Sequence, residues 1–328
     1  MAAIARLLPE PRWRGLRLVA TDSTTLRLPN WLENHEDFGV QWDRDGQSYV
    51  LARALGLFST ASRLMIKSVV ARYEDAERAL LVRLLPHLTH QDLLIMDRGF
   101  PAVWLFVLLQ QRDLPFLARM DGTNWPEVKA FLRSGLSERL SSRPISAHAR
   151  RQAKKLGLTL SAQTLSIRLI RVVLPNGRIE ILTTSLLDTH AFPAAEFSSL
   201  YHARWNIEEA FKTLKHRLFV EQFTGELPEA IRQDFHAKVF TANLAAALAL
   251  SAQEHLPEAK AQHYQPNFAY ILEQLRTRLF TWLLNLCSAE HLLDLLTLFA
   301  KTLELKRPGR KAERPKSRIN PKPRRAYK

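Results

Sequence analysis

Tyr201, Arg204, Glu208, Lys212 and Lys215 put one carboxylate among an aromatic hydroxyl and three bases within fifteen residues. On one continuous helix, a turn of about 100° per residue gathers all five into a stripe roughly 80° wide. Ile207, Phe211, Leu214 and Leu218 fall in a neighbouring apolar stripe, so the helix buries one flank and presents the charged one. A carboxylate that holds a divalent cation, beside bases that hold phosphates, needs this mixture of signs on one rigid element. The same spacing also suits an ordinary exposed face, on which Glu208 pairs with Arg204 and Lys212 for only a few tenths of a kcal/mol. The other acids of the chain bear on the choice.

Two of them follow apolar runs. Leu16 to Thr21 reads as a buried strand that delivers Asp22 at its end, and Asp92 to Met96 reads as a short strand that delivers Asp97. Between them, Ser48 to Phe58 and Arg63 to Ala71 predict an antiparallel pair, and Glu74 to Leu85 a helix that stops before Pro86. A helix from Pro101 to Gln111 and a strand from Pro115 to Arg119 come next. This order predicts an α/β sheet covered on both faces, in which ligands gather at the ends of strands. A single Asp after a strand is also a common turn former or helix cap.

From Asp121 to Thr189 the pattern changes. Trp125-Pro126 and Gly135 break the early part, and Arg143 to Lys155 is strongly basic. Leu165 to Val173 and Ile179 to Thr184, joined across Pro175-Asn176-Gly177, read as a hairpin. This is a β-rich insertion. Beyond the Tyr201 to Lys215 run, Leu227 to Glu254 and Phe268 to Leu305 are apolar-periodic helical segments, the first expected to cover the sheet and the second to form a helical C-terminal subdomain. The resulting division is 1–120 and 190–255 for the core, 121–189 for the insertion, 256–305 for the subdomain and 306–328 for a basic, proline-containing tail with little regular structure.

At 328 residues, 46% hydrophobic and 24% charged, the chain has the composition of an ordinary folded protein. Its net charge of +15 is uneven: Lys306 to Lys328 holds eleven Lys or Arg against the single acid Glu313, hence ten of the fifteen charges. Such a surplus suits a polyanion. The lone Cys287, read as a small core residue, excludes an intrachain disulfide and a cysteine-based zinc site. His90, His202 and His216 lack metal-ligand spacing and read as surface or lining residues. Met1 to Leu8 does not read as a signal peptide, and the greasiest runs, Thr241 to Ala252 and Leu279 to Cys287, read as too short for a bilayer. A cytoplasmic protein with no membrane partner is expected.

Asp22, Asp97 and Glu208, two at strand ends and one on a helix, resemble the acids of the DDE transposases, which are built on a ribonuclease-H-like mixed sheet flanked by helices. Tyr201, Arg204, Glu208 and Lys215, with two, three and six residues between them, resemble the tyrosine, arginine, glutamate and lysine signature of the insertion sequence four family. Asp22-Ser23-Thr24-Thr25 and Asp97-Arg98-Gly99-Phe100 are similar to that family's first two acid motifs. The resemblance covers Leu16 to Arg217 and favours a functional Glu208 over an ordinary helix face.

The resemblance implies cleavage and strand transfer of DNA through two Mg²⁺ ions, with Mn²⁺ as a substitute, held by Asp22, Asp97 and Glu208. Asp22 would bridge both ions. Arg204 and Lys215, with Lys212 added from its helical phase, would grip phosphates, and Tyr201 would donate a hydrogen bond or stack nearby. Trp125 reads either as a stacking platform for a displaced base or as a core or lid residue. The implied partners are transposon-end and target DNA, with a homodimer in the DNA complex. The family generally carries an N-terminal helical DNA-recognition domain, and only twenty-one residues precede Asp22, so that domain is expected to be lost or separately encoded. The alternatives are a remnant that binds DNA without autonomous transposition, and a ribonuclease-H-like nuclease.

The tail generates a prediction. Its charges neutralise phosphates but cannot hold side chains against base edges. Deleting 306–328 should lower the slope of log K against log salt for DNA binding without changing sequence preference, as read by titration at several salt concentrations.

Overall fold

The structure, a computed structural model, describes residues 10–122, 125–284 and 289–306. The expectations for Met1 to Leu8, for Cys287 and for all of the tail but Lys306 lie outside the described residues. The main strands are β1 (Arg17–Leu28), β2 (Val40–Trp42), β3 (Ser48–Ser59), β4 (Met65–Arg72), β5 (Asp92–Met96), β6 (Phe116–Arg119), β7 (Glu138–Pro144), β8 (Thr164–Val173) and β9 (Ile179–Thr184). The chain forms two compact units: Glu10–Thr25 with Ala52–Phe211, and Leu26–Leu51 with the chain from Lys212.

The first unit is built on a sheet in the order β4-β3-β1-β5-β6-β9-β8-β7. β1, β5 and β6 run parallel, whereas β3 with β4 and β6 with β9, β8 and β7 are antiparallel. The centre is parallel because both faces are covered, so β5 is apolar at every position but its first. Leu94 and Met96 point into one core layer, shared with the helices Glu77–Leu84 and Val103–Gln111. Leu93 and Ile95 point into the opposite layer, shared with Phe197, Leu200 and Tyr201 of the helix Phe197–His202. A period of two sorts adjacent residues of one strand between the layers.

The β-rich insertion contributes β7, β8 and β9, which continue the main sheet: Leu117 on β6 pairs with Thr184 on β9. This covers the edge that β6 would otherwise leave unpaired. The insertion also holds two helices, Pro126–Ser134 and Ala147–Lys155, whose Val128, Phe131, Ala149 and Ala153 join the first core layer. Pro126 at the first helical turn and Gly135 at φ 71° bound the former, and Ser146 caps the latter by accepting from the Ala149 N–H at 3.2 Å. The hairpin turn closes through Gly177 at φ 76°. These long-range pairings draw 52–211 into one unit, which is why its borders cut across the five-part division read from composition.

In the second unit the helix Pro228–Glu254 packs with Phe268–Leu284 and Ala289–Lys301 around Ala245, Ala252, Ile271, Leu275 and Phe299. The single periodic segment read over Phe268 to Leu305 is two helices followed by a strand, Leu303–Leu305, paired with Tyr264–Pro266. Pro228–Glu254 is 27 residues long and, by length and composition alone, long enough to cross a membrane, contrary to the reading from its greasiest run. Its place in this core gives a second physical reason for its apolar character.

Arg168 on β8 is fully buried. Its Nε donates to Glu138 at 2.7 Å, its Nη1 donates to the Phe192 carbonyl at 2.6 Å, and it lies over the Phe197 ring. Arg168→Ala removes the side-chain volume and orphans that carbonyl, so it should cost about 2–4 kcal/mol in urea unfolding. Arg168→Met, which refills the volume, should cost clearly less.

Candidate active site

The register of β1 against β5 ends with Ala20 opposite Ile95. Two residues further along each strand lie Asp22 and Asp97, so parallel pairing carries both acids to one end of adjacent strands. β1 itself runs on to Leu28, which places Asp22 within the strand rather than at its end, with Leu26 and Leu28 buried beyond it. The Ser23 N–H donates to Asp22 Oδ1 at 2.8 Å, and the Gly99 N–H donates to Asp97 Oδ1 at 2.8 Å. Each acid is thus oriented by a nearby backbone amide. At Gly99 a Cβ would lie 3.1 Å from Asp97 Oδ1, so the turn favours a residue without one.

The run from Tyr201 to Lys215 is two helices, Phe197–His202 and Trp205–His216, and not one. Between them the amides of Arg204, Asn206 and Ile207 bond three residues back, to Tyr201, Ala203 and Arg204, which tightens the chain into a turn. The single stripe expected of these five residues therefore breaks before Glu208. Phe197, Leu200 and Tyr201, spaced three and four apart, face the sheet, which buries Tyr201 to 6% exposure. Its hydroxyl is enclosed without a hydrogen-bond partner among the described residues, and burial raises its pKa.

Arg204, at the turn, is only 4% exposed. Its Nη1 lies 3.2 Å from Asp22 Oδ2 and its Nη2 2.6 Å from Glu208 Oε1, so one guanidinium joins two of the acids. The rings of Tyr201 and Trp205 lie 5.8 and 5.4 Å from its Cζ. The residue expected at a DNA phosphate is, in this structure, the internal counter-ion of the acids. Lys212 and Lys215 follow on the Trp205–His216 helix and belong to the second unit, where Lys215 Nζ is 3.5 Å from Glu221. Trp125 is buried beside Phe106, with Arg143 over its ring.

Burial pushes the Asp22 carboxyl from the ordinary 3.8 up to about 6. The Ser23 amide and the Arg204 charge oppose the shift, while the nearby charges of Asp97 and Glu208 add to it. The three acids therefore feel one another. Among the described residues, no three His, Cys, Asp or Glu side chains already converge as a metal-holding group. Two further residues reach the site without any signal in their spacing: Glu77, which accepts from the Ser23 hydroxyl, and Arg119, whose guanidinium lies 6.0 Å from the Tyr201 ring.

A sheet ordered β4-β3-β1-β5-β6 with a parallel centre, an acid on β1, an acid after β5 and a third on a later helix defines the ribonuclease-H-like class. Residues 13–244 match the family model described as the transposase DDE domain. Transposase InsG for insertion sequence element IS4, from Escherichia coli strain K12, is 24% identical over 265 residues, covering 79% of this chain and 57% of the relative. Among solved structures, the piggyBac transposase synaptic complex with hairpin DNA matches 90% of this chain and 59% of its own at 11% identity, with a TM-score of 0.47. The chain belongs to the family of the transposase DDE domain. It spans little more than half the length of that curated relative.

The Asp22 shift sets a pH dependence with a definite sign. The folded chain holds this proton more tightly than the unfolded chain does, so ionising Asp22 weighs against the fold above about pH 6 and not below about pH 4. Asp22→Asn should therefore be more stable than the parent at pH 7.5 by roughly 1–3 kcal/mol. The gain should vanish near pH 4. Thermal unfolding of both proteins across this range checks it.

Proposed function

We propose that this chain carries the catalytic core of a DNA transposase, which cuts and joins DNA strands by metal-dependent phosphoryl transfer. The observation that carries the reading is the placement of Asp22 on β1 and Asp97 just after the adjacent parallel β5, with Glu208, on the later helix Trp205–His216, tied to Asp22 through Arg204. A structural salt bridge accounts for Arg204, but not for a third acid close enough to raise the Asp22 pKa.

The donor set fits a hard divalent cation: three carboxylates, one of them buried at a cost that a cation would offset. Asp22, Asp97 and Glu208 would hold Mg²⁺, or Mn²⁺ in its place. When bound, the metal would activate the attacking water or DNA 3′-hydroxyl and stabilise the departing oxygen. The chain's own residues supply the rest. Arg204 keeps Asp22 and Glu208 together, and its guanidinium becomes available to a phosphate once those acids have another cation. Tyr201 and Trp205 flank that guanidinium. Lys212 and Lys215 hold backbone phosphates, which position DNA without reading its sequence. The DNA partners are the transposon ends and the target, bound by a homodimer, in a bacterial cytoplasm where the nucleoid is at hand.

Asp22→Ala, Asp97→Ala and Glu208→Ala should each lower Mg²⁺-dependent cleavage and strand joining by more than roughly 100-fold, since even residues behind metal ligands cost up to that factor. Circular dichroism should show all three folded. A folded Glu208→Ala protein with near-parental activity would overturn the assignment.

A further inference from the structure

We propose that Glu77 and Arg78 are positioning residues, which set the separation of Asp22 and Asp97 by tying the backbone beside each acid to the start of one helix. The inference rests on the reading of those aspartates as metal-holding acids. Glu77 and Arg78 open the helix Glu77–Leu84, whose Leu80, Leu81 and Leu84 are buried in the first core layer. The helix is therefore a fixed platform rather than a surface feature.

The connections run to both acids. On one side the Ser23 hydroxyl donates to Glu77 Oε1, and the Ser23 amide donates to Asp22 Oδ1 at 2.8 Å. Arg53 holds the same Glu77 oxygen at 2.9 Å and is itself held by two donations to the Tyr73 carbonyl at 3.1 and 3.0 Å. On the other side Arg78 donates to the carbonyls of Gly99 at 2.7 Å, Phe100 at 2.8 Å and Pro101 at 3.3 Å. Gly99 in turn donates its amide to Asp97 Oδ1 at 2.8 Å. A Cβ at Gly99 would lie 3.1 Å from Asp97 Oδ1 and 3.6 Å from Glu77 Oε2, so the two halves of the tie meet at this turn.

Most of these contacts join a charged group to a neutral one or to another charge, the stronger kind of hydrogen bond. Partners behind metal ligands that orient them commonly change metal affinity by 10–100-fold when lost. Glu77 and Arg78 are adjacent in sequence yet serve different strands, which makes them a spacer: neither acid can shift against the other without moving the helix start.

The test uses the full chain. Mn²⁺ affinity is measured by electron paramagnetic resonance, DNA affinity is measured without metal, and cleavage is followed as a function of Mg²⁺ concentration. Glu77→Ala and Arg78→Ala should each weaken Mn²⁺ binding and raise the half-saturating Mg²⁺ by roughly 10–100-fold, with metal-free DNA affinity unchanged. Glu77→Gln keeps an acceptor for the Ser23 hydroxyl and should recover most of the loss. If Gln fails to rescue, Glu77 acts directly on the metal and the positioning role is overturned. Should Glu77→Ala fail to fold, Ser23→Ala cuts the same hydrogen bond from its other end and should weaken Mn²⁺ binding likewise; parental binding would refute the proposal. Asp97→Ala separates the two readings. If it loses Mn²⁺ binding and cleavage while Glu77→Ala matches the parent, only the positioning role falls; if it retains both, the site reading itself falls.

Discussion

Three carboxylates near one another in a partly buried place repel, and the Arg204 guanidinium is what lets two of them stay together. It spans Asp22 and Glu208 with separate nitrogens, so two elements far apart in sequence share one charge. A buried guanidinium is costly unless its charge is met, and a buried acid likewise. Each therefore makes the other's burial tolerable. The compensation is incomplete: burial still pushes the Asp22 carboxyl up, with the Arg204 charge only partly opposing it.

The turn at Ala203 and Arg204 follows from the same constraint. An unbroken helix from Phe197 would hold Tyr201 and Arg204 on the flank that carries Glu208. Breaking it lets Phe197, Leu200 and Tyr201 close one layer of the core while Arg204 reaches sideways to Asp22. Packing and electrostatics are reconciled by three-residue hydrogen bonds in place of four. Beneath this, the parallel register of β1 and β5 does the alignment. Strands apolar on both faces have little freedom to slip, because a one-residue shift would exchange the two layers. The aspartates inherit that rigidity, and the Glu77–Leu84 helix adds a second tie between them.

Much of this was legible in local sequence. The central β5 appears as an apolar run, the hairpin of β8 and β9 as two largely apolar runs around Asn176-Gly177, and Asp22 and Asp97 as charged residues where apolar runs change character. The spacing from Tyr201 to Lys215 carried the resemblance to a transposase family, since four residue types at set intervals are rarely met by chance. These features depend on neighbours within a few positions, and periodicity reports such neighbours faithfully.

What only the tertiary structure decided depends on partners far along the chain. Arg204 read as an outward base because helical phase knows nothing of Asp22, 182 residues away. Glu77 carried no signal within its predicted helix, because Ser23 lies 54 residues from it. The insertion read as a separate piece because composition cannot show that β9 pairs with β6 and carries β8 and β7 onto the same sheet. Hydrogen bonds and ion pairs of this range are set when the strands find their register. Local pattern determines which residues are buried or charged; the fold determines which of them meet.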